Sequence, residues 1–469
     1  MEYSQIQKDA AGSGKTVAFC TLGCKVNQYE TDAMEEMFEA AGYEVKSFKE
    51  AADIYIINTC TVTNIADRKS RQMLHRARKM NPDGLIVAVG CYVQAARESL
   101  EADPRIDLIV GNNKKAEIVS LVEARMDERR RELAADSQPA SHRVNVIDIN
   151  HTSEYESLHV TRVCEHTRAY IKIQDGCNQF CSYCIIPYTR GRVRSRRAED
   201  IIREVRGLVD SGYKEIVLTG IHISSYGVDF EKTEYNKNQG AEYLIRLIEA
   251  LGEIPGLLRI RLGSLEPRVV TEDFARRLRA IPAVCPHFHL SLQSGCDATL
   301  ARMNRKYTTA QYDTCCQILR RYFDHPAITT DVIVGFPGES DAEFEQSAAF
   351  LEHIAFAEMH VFKYSKRGGT RAASMDGQVD EAVKNERSAR LLALGGRLRE
   401  DFIRQWQGKT AEILLEEAVT VDGQTYMTGH TKEYIRAAVP GDGLTGNMVI
   451  LGKLSLNFNE EYVFCERID

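Results

Sequence analysis

The segment DGCNQFCSYCIIPY carries three closely spaced cysteines whose thiolates can bind a metal cluster. Cys177, Cys181 and Cys184 follow a C-x3-C-x2-C spacing directly after an apolar, strand-like run. Three thiolates from one short loop can hold three irons of a 4Fe-4S cluster and leave the fourth iron open to an outside ligand. Zinc is the alternative, but structural zinc takes four protein ligands, and no fourth Cys or His follows at a matching spacing. The spacing therefore favours an open iron-sulfur cluster.

Three more cysteines are far apart in sequence but occupy equivalent positions. Cys24, Cys60 and Cys91 come just after the apolar runs TVAFCTLG, DIYIINT and GLIVAVG. The carboxyl ends of neighbouring parallel strands meet in one crevice, so these thiols can converge on a second open cluster. The alternative is that they are ordinary buried cysteines, which are common in protein interiors. The other cysteines lack ligand-like spacing and are expected to be structural: Cys20, Cys164, Cys285, Cys296, Cys315, Cys316 and Cys465.

Alternating strand-like and helical segments predict the elements that position these cysteines. In the first third, the apolar runs alternate with amphipathic segments such as DAMEEMFEAAGY and RKSRQMLHRARKM, which is typical of a parallel sheet. From Ala169 onward six more strand candidates follow: YIKIQD, EIVLTG, RIRLGSL, FHLSLQSG, TTDVIVGF and MHVFKYS. Helix-length segments separate them, which predicts a six-unit parallel α/β barrel, full or partial. After Trp406, closely spaced short strands predict a small antiparallel β-barrel.

These patterns divide the chain into three domains of the α/β class. The polar stretch DERRRELAADSQPASH has no periodicity and is expected to be a helix tail followed by an interdomain linker. The expected division is a flexible extension over 1–15, a parallel α/β domain over 16–126, a linker over 127–162, a (β/α)6 barrel over 163–400 and a β-barrel over 401–469.

Charge and hydropathy limit the classes of function. The 469-residue chain has a net charge of −7, so RNA binding needs a local basic patch. No apolar stretch approaches the roughly 20 residues of a membrane helix, and the first residues lack the features of a secretory signal. Thirteen cysteines are too sparse for a disulfide scaffold in a chain of this size. We therefore expect a cytoplasmic protein without a membrane span.

One local basic patch directly follows the cysteine loop. Its five arginines fall within eight residues: Arg190, Arg192, Arg194, Arg196 and Arg197. Guanidinium groups suit phosphate oxygens, so the patch is interpreted as an RNA contact. For any single arginine the alternative is a solvated charge or an interdomain salt bridge.

The loop of Cys177, Cys181 and Cys184 resembles the signature of the radical S-adenosylmethionine (SAM) superfamily, and the predicted barrel agrees with it. The resemblance implies that the open iron binds the amino and carboxylate groups of SAM. Reductive cleavage then gives methionine and a 5′-deoxyadenosyl radical. The resemblance also implies cofactor contacts from the aromatic residues of the loop and from the carboxyl ends of later strands. These candidates are Phe180, Tyr183, Gly220, Ser291, Gln293 and Gly335.

The two-cluster layout resembles the methylthiotransferase family of this superfamily from Thr16 onward. TLGCKVNQYET, NTCTVT and VGCYVQ carry the resemblance around Cys24, Cys60 and Cys91. It implies that an auxiliary 4Fe-4S cluster on these cysteines provides the sulfur. One SAM methylates that sulfur and a second makes the radical, so two are consumed per product. An external reductant such as flavodoxin or ferredoxin is implied, and the sulfur donor that rebuilds the cluster is not identified.

The C-terminal segment, from GKTAEILLEEAV to VFCERID, resembles the TRAM module, an RNA-binding β-barrel appended to this family. Residues 401–469 contain eleven acidic and six basic residues, a net of −5, whereas phosphate binding requires at least one basic face. The candidates to form such a face are Lys409, Lys432, Arg436 and Lys453.

The form TLGCKVNQYET resembles the branch that acts on N6-threonylcarbamoyladenosine beside the anticodon of transfer RNA, which implies its 2-methylthio derivative as product. Sibling branches with the same clusters modify N6-isopentenyladenosine in tRNA or an aspartate of a ribosomal protein. A protein of another class, for iron-sulfur electron transfer or RNA binding, would not cleave SAM when reduced. The sequence leaves open which tRNAs are recognised, the oligomeric state and the general acid or base. His222 is expected to be structural.

Overall fold

The computed structural model describes residues 14–134, 143–162, 167–230, 239–459 and 461–468. Most of the extension predicted for residues 1–15, and also Cys164, lie outside these ranges. The described chain forms an N-terminal parallel sheet, a partial α/β barrel and a closed C-terminal β-barrel. This is the predicted fold class.

The N-terminal sheet consists of short parallel strands in the order β2-β1-β3-β4-β5-β6. The strands are β1 (Thr16–Thr21), β2 (Glu44–Lys46), β3 (Ile54–Thr59), β4 (Leu85–Gly90), β5 (Leu108–Val110) and β6 (Arg143–Asn145). The helices between them are α1 (Lys25–Ala40), α2 (Asn64–Met80), α3 (Cys91–Ala95), α4 (Arg97–Glu101) and α5 (Ile118–Ala134).

Two apolar layers bury both faces of this sheet. Helices α1 and α5 pack on the face of Ile54 and Ile56, whereas α2 and α3 pack on the face of Tyr55 and Ile57. A strand that is covered on both sides has no solvated face, so it is apolar along most of its length. The predicted strands β1, β3 and β4 are confirmed. The sequence missed β2, β5 and β6 because runs of three residues carry no readable period.

Six parallel strands form the barrel, and a seventh short strand pairs antiparallel with the outer edge of the first. The strands are β7 (Arg168–Asp175), the antiparallel β8 (Arg194–Ser195), β9 (Glu215–Gly220), β10 (Arg259–Leu262), β11 (His287–His289), β12 (Ala327–Val334) and β13 (Glu358–Lys363). Each predicted barrel strand is present. A bridge between Leu265 and Leu290 joins the two halves of the sheet. Within the described ranges no strand closes the gap between β13 and β7, so the barrel is partial.

Amphipathic helices cover the outside of the barrel. They are α7 (Ala198–Asp210), α8 (Gln239–Gly252), α9 (Glu272–Arg279), α10 (Asp297–Arg302), α11 (Thr309–Tyr322), α12 (Asp341–Ile354) and α13 (Glu381–Gln405). The short helix α6 (Ile186–Thr189) instead packs against α3 of the N-terminal domain. Reciprocal capping boxes begin two of the outer helices, with Thr308 and Gln311 at α11 and Ser340 and Glu343 at α12. The helices thereby start at fixed residues and hold the strand ends in place.

The segment predicted as a linker, 127–162, contributes to two folded units where it is described. Helix α5 continues to Ala134, and Arg143–Asn145 adds strand β6 to the first sheet. Leu158 and Val160 are buried in the barrel core beside Tyr29 of α1. The N-terminal sheet and the barrel therefore share packed residues along this segment.

The C-terminal β-barrel closes in the strand order β14-β15-β16-β18-β17. Its strands are β14 (Thr410–Val421), β15 (Gln424–Thr431), β16 (Arg436–Pro440), β17 (Val449–Phe458) and β18 (Val463–Ile468). The pairs are antiparallel except for β16 with β18, which is parallel. Its core contains Trp406 from the turn that follows α13.

A loop of the C-terminal barrel fits under the amino ends of the α/β barrel strands. Arg261 donates to the carbonyl oxygens of Lys432 at 3.0 Å and Thr431 at 3.3 Å. The Tyr434 ring stacks on His287 with 4.6 Å between ring centroids. The far end of the α/β barrel is thereby filled, which leaves the carboxyl ends of its strands as the open face.

The buried position of His287 predicts a pH dependence of stability. Burial, with Arg261 and Lys25 nearby, holds the pKa of His287 well below its ordinary value. Below pH 6.5 the unfolded chain therefore takes up a proton that the folded chain does not, and folded-state stability is lost as the pH falls. Between pH 7.5 and 5.5 the parent protein should lose about 1.4 kcal/mol more unfolding free energy than His287→Asn. Denaturant unfolding at both pH values measures this, and equal losses would contradict it.

None of the helices in the described ranges combines the length and the apolar character that crossing a membrane requires.

Candidate active site

The first cysteine loop leaves β7 at its carboxyl end and turns back sharply. Gly176 has a φ of +70°, and a Cβ at this position would lie 1.8 Å from the carbonyl oxygen of Arg192. The amide of Cys177 donates to the carbonyl oxygen of Gly191 at 3.0 Å, which closes the base of the loop. Only glycine fits so close an approach. The loop lies on the face of the barrel where such folds carry their active sites.

The thiols of this loop suit a cluster. Burial raises the pKa of the Cys177 thiol to about 12, and it raises the pKa of Cys184 as well. Arg305 Nη1 donates to Cys181 Sγ at 3.1 Å. Thiols bind metal as thiolates, and metal binding releases their protons. Three clustered thiols with one cationic donor therefore fit a thiolate-ligated iron-sulfur cluster.

Arg305 also ties the cysteine loop to a neighbouring strand end, and sequence reasoning missed it. Its Nη2 donates to the carbonyl oxygen of Ser291 at 3.3 Å, and the Tyr307 hydroxyl donates to the same oxygen at 2.5 Å. No spacing rule indicates Arg305, because its partner Cys181 is 124 positions away.

The aromatic candidates for cofactor contact lie within or beside the cysteine loop. Phe180 has a φ of +50°, and the Arg192 guanidinium lies 4.5 Å from its ring centroid. Tyr183 packs against Phe336 with ring centroids 6.3 Å apart. The two aromatic residues therefore face different neighbours, one on the exposed side of the loop and one toward the end of β12.

The remaining candidates lie at the carboxyl ends of β9, β11 and β12. A Cβ on Gly220 would lie 3.0 Å from the carbonyl oxygen of Gln174, and the backbone amide of Gln293 donates to the backbone carbonyl oxygen of Asp331 at 2.9 Å. A Cβ on Gly335 would lie 2.3 Å from the Lys384 side chain. Close packing on α13 therefore accounts for glycine at position 335.

A polar chain beside the cysteine loop was also not predicted. Gln179 Nε2 donates to Glu266 at 3.2 Å, and His222 Nε2 lies 3.2 Å from the same carboxylate. Burial alone would raise the pKa of Glu266, but its contacts with His222 and Arg268 lower it to about 2. His222 thus lies beside an ionised carboxylate at the strand end, and its structural role stays a prediction.

Polar side chains also meet on β11, β12 and β13. His289, Asp331 and His360 each offer a ligand atom, and these atoms lie within 4.8 Å of one another. His289 Nδ1 lies 3.0 Å from Thr329 Oγ1, which leaves Nε2 facing Asp331 at 3.3 Å. The group offers both donors and acceptors to a polar ligand.

The second set of cysteines meets at the carboxyl edge of the N-terminal sheet. Cys24 precedes α1, Cys60 follows β3 and Cys91 begins α3. Gly23 has a φ of +106°, and its turn lies so close to Cys60 that a Cβ on Gly23 would be 2.9 Å from Cys60 Sγ. Burial raises the pKa of the Cys60 thiol to about 11. The predicted convergence of these strand ends is observed.

Two donors approach Cys91 from residues far away in the sequence. Arg190 Nε donates to Cys91 Sγ at 3.2 Å, and Asn112 Nδ2 lies 3.6 Å from the same sulfur. Asn112 also donates to the carbonyl oxygen of Thr189 at 2.7 Å. Three thiols with hydrogen-bond donors aimed at sulfur fit a thiolate-ligated cluster here too.

Buried ion pairs surround Arg190. Glu30 accepts from Arg190 at 2.8 Å and from Lys172 at 2.7 Å, and Lys115 lies 3.1 Å from it. Burial alone would raise the pKa of Glu30, but these three cations hold it well below its ordinary value. Asp175 pairs with Lys172 and Arg190 and lies 3.8 Å from Arg194. The network thus joins α1 to the first barrel strand.

These contacts correct the RNA prediction for three of the five arginines. Arg190 and Arg194 are buried in the network, and Arg196 is buried against Glu204. Arg190 and Arg196 pair with buried carboxylates and Arg194 lies 3.8 Å from Asp175, so these three guanidinium groups are buried rather than exposed to phosphate. Arg192 and Arg197 are exposed, and each guanidinium lies over a phenylalanine ring. For Arg190 the structure therefore supports the alternative to an RNA contact that was considered for single arginines, an interdomain salt bridge.

The basic candidates of the C-terminal barrel lie in two places. Lys409 and Lys453 are neighbours across the β14–β17 pair. Lys432 reaches toward the carbonyl oxygen of Pro282, and Arg436 pairs with Glu417 at 3.1 Å. A single basic face formed by these four side chains stays a prediction.

Comparisons with known proteins agree with this site. The uncharacterized protein family UPF0004 matches residues 16–111, and the radical SAM superfamily matches residues 171–351. A threonylcarbamoyladenosine tRNA methylthiotransferase, MtaB, of Bacillus subtilis is 41% identical over 92% of this chain and 92% of its own. The chain belongs to the radical SAM methylthiotransferase family. It is thus a radical SAM enzyme, whose cofactors are SAM and 4Fe-4S clusters.

Other relatives and solved structures extend the comparison. A tRNA-2-methylthio-N(6)-dimethylallyladenosine synthase of Moorella thermoacetica is 35% identical over 93% of this chain and 95% of its own. The solved structure of the radical SAM methyltransferase TsrM from Kitasatospora setae has a TM-score of 0.55. It covers 87% of this chain and 81% of its own at 15% identity, which supports the fold alone.

Proposed function

We propose that this methylthiotransferase converts N6-threonylcarbamoyladenosine, next to the anticodon of tRNA, to its 2-methylthio derivative. The presence of two thiol triads, with an arginine from the segment after one of them contacting the other, carries the proposal. Cys24, Cys60 and Cys91 gather at one sheet edge, and Arg190 from the segment after the other cysteine loop donates to one of them. Four relatives, each 33–41% identical, have names that state this activity on threonylcarbamoyladenosine in tRNA.

Each thiol triad would hold one 4Fe-4S cluster. Cys177, Cys181 and Cys184 would bind the cluster that activates SAM, and the other triad would bind the auxiliary cluster. When bound, the first cluster together with SAM would supply the radical, and the auxiliary cluster would supply the transferred sulfur. The chain's own part is to orient the thiols, with Arg305 on Cys181 and Arg190 on Cys91. The six cofactor candidates all remain proposed contacts: Phe180, Tyr183, Gly220, Ser291, Gln293 and Gly335.

The predicted division of the chain supports separate roles. Residues 16–126 would carry the auxiliary cluster, residues 163–400 the radical chemistry, and residues 401–469 would act as a TRAM-like RNA-binding barrel. We propose flavodoxin or ferredoxin as the reductant and the cytoplasm as the compartment, because tRNA and reduced cofactors are found there.

The isopentenyladenosine branch is the second candidate, because relatives such as the 35% identical synthase act on the dimethylallyl derivative by name. Mass analysis of tRNA nucleosides from a strain lacking this protein, and from the same strain complemented, tests the proposal. Loss and return of 2-methylthio-N6-threonylcarbamoyladenosine is expected. Loss of the isopentenyl derivative instead, or unchanged nucleosides, would overturn the substrate assignment.

Arg192 is expected to contact the RNA backbone. It is exposed and lies directly beyond the cysteine loop, above Phe180. Loss of one phosphate contact should weaken tRNA binding and reduce the slope of log Kd against log salt by about one. Arg192→Ala should therefore bind tRNA more weakly, as measured by filter binding at several salt concentrations. Arg397→Ala, an exposed arginine of α13 paired with Glu352, is the matched control. Equal slopes for both variants would contradict the contact.

A further inference from the structure

Arg190, in the segment that follows the first cysteine loop, reaches the second cysteine site through directed hydrogen bonds. It is fully buried, six residues after Cys184, at the end of helix α6. Its Nε donates to Cys91 Sγ at 3.2 Å, and its Nη2 donates to Asn27 at 2.6 Å. Its Nη1 donates to both Glu30 and Asp175. With every nitrogen of the guanidinium engaged, the position of this group relative to Cys91 is fixed.

The charge around Arg190 is not balanced by carboxylates. Ion pairs in the described chain link four buried cations to two buried carboxylates. The cations are Lys115, Lys172, Arg190 and Arg194, and the carboxylates are Glu30 and Asp175. A third carboxylate, Glu156, acts on Lys172 only from beyond ion-pair distance, so positive charge remains in excess even when it is included.

Unbalanced positive charge in a protein interior is costly unless an anion lies next to it. Arg194 Nε and Nη2 lack a hydrogen-bond partner in the described structure, which is a further sign that the local acceptors are too few. Arg190 is the member of the network that reaches sulfur. Thiolate ligands of a cluster would bring negative charge to that contact and balance the excess.

We propose that Arg190 is a positioning residue for the auxiliary cluster, where it fixes Cys91 and raises the reduction potential of the cluster. Hydrogen bonds to ligand sulfur and nearby positive charge stabilise the reduced, more negative state. The segment that follows the radical SAM loop therefore tunes the sulfur-donating site. This inference rests on the proposed assignment of that site to Cys24, Cys60 and Cys91.

The test uses the full chain with Cys177, Cys181 and Cys184 all replaced by alanine, so that only the auxiliary cluster contributes a signal. About four irons per chain in this background would support the cysteine assignment, and iron-free protein would refute that assignment separately. Arg190→Met and Arg190→Lys are then compared with the background by redox titration followed by EPR. Arg194→Met is the matched control, because it removes a buried arginine of the same network that does not touch sulfur.

Arg190→Met should lower the ratio of reduced to oxidised cluster at a fixed potential about tenfold, which is ~59 mV for one electron. Arg190→Lys keeps the charge but loses the planar donor, so a smaller shift in the same direction is expected. Arg194→Met should shift the potential clearly less than Arg190→Met, because it removes a charge of the network but no hydrogen bond to sulfur. Equal shifts in Arg190→Met and Arg194→Met, or no shift with full iron content, would overturn the proposal. If Arg190→Met does not fold, the Arg190→Lys titration decides, and an unchanged potential there overturns it.

Discussion

Alanine at Cys177 should abolish reductive cleavage of SAM, whereas alanine at Cys24 should preserve cleavage but prevent sulfur insertion. The physical reason is that the two thiols belong to separate triads, one on the loop after β7 and one at the edge of the N-terminal sheet. A cluster with three protein thiolates is lost or displaced when one ligand is missing. The measurement is 5′-deoxyadenosine and methylthio-nucleoside formed by reduced, reconstituted protein with tRNA.

The other cysteines of each triad should behave in the same way. Alanine at Cys181 or Cys184 should abolish SAM cleavage, whereas alanine at Cys60 or Cys91 should preserve cleavage but prevent sulfur insertion. Cys20→Ala is the matched control, because Cys20 lies in β1 only four residues before Cys24 and is expected to be structural. It should keep both products. Cleavage that survives in the Cys177 variant would refute the assignment of the radical site, and methylthio product from the Cys24 variant would refute that of the auxiliary site.

Much of the fold and both thiol sets could be predicted from the sequence, because their signals are local. Strands β3 and β4 are continuous apolar runs, and their following cysteines occupy the same topological position, so their convergence follows from parallel pairing alone. The C-x3-C-x2-C loop needs no tertiary information. Local periodicity and the rule that carboxyl ends of parallel strands meet were sufficient for these features.

The role of single charged residues could not be predicted, because it depends on contacts between distant segments. Arg190 was interpreted as a phosphate contact from its arginine-rich neighbours, yet its carboxylate partner Glu30 lies 160 positions away. Arg305 has the same kind of long-range partner in Cys181. A run of arginines does not reveal which of them are buried against carboxylates of distant segments. That distinction required the fold.

Gly176→Ala should abolish binding of the radical SAM cluster without removing any ligand. A Cβ at this position would lie 1.8 Å from the carbonyl oxygen of Arg192, and the residue also needs a φ of +70°. The atoms closest to this Cβ belong to the backbone of Gly191 and Arg192, so rotating a side chain cannot relieve the clash. Cys177 must therefore move. Reconstituted protein should therefore fall from about eight to about four irons per chain, with loss of SAM cleavage.

Gly212→Ala is the control that introduces backbone strain without a steric clash. Gly212 has a φ of +98°, but a Cβ there would meet nothing within 4 Å. Its alanine variant should lose about 1 kcal/mol of stability from the left-handed conformation and still bind all its iron. If both alanine variants retained full iron and cleavage, the tight turn would not be required for the cluster. If both lost iron equally, backbone strain would be the cause, and the close approach of Gly176 to Arg192 would have no separate role in holding the three thiols together.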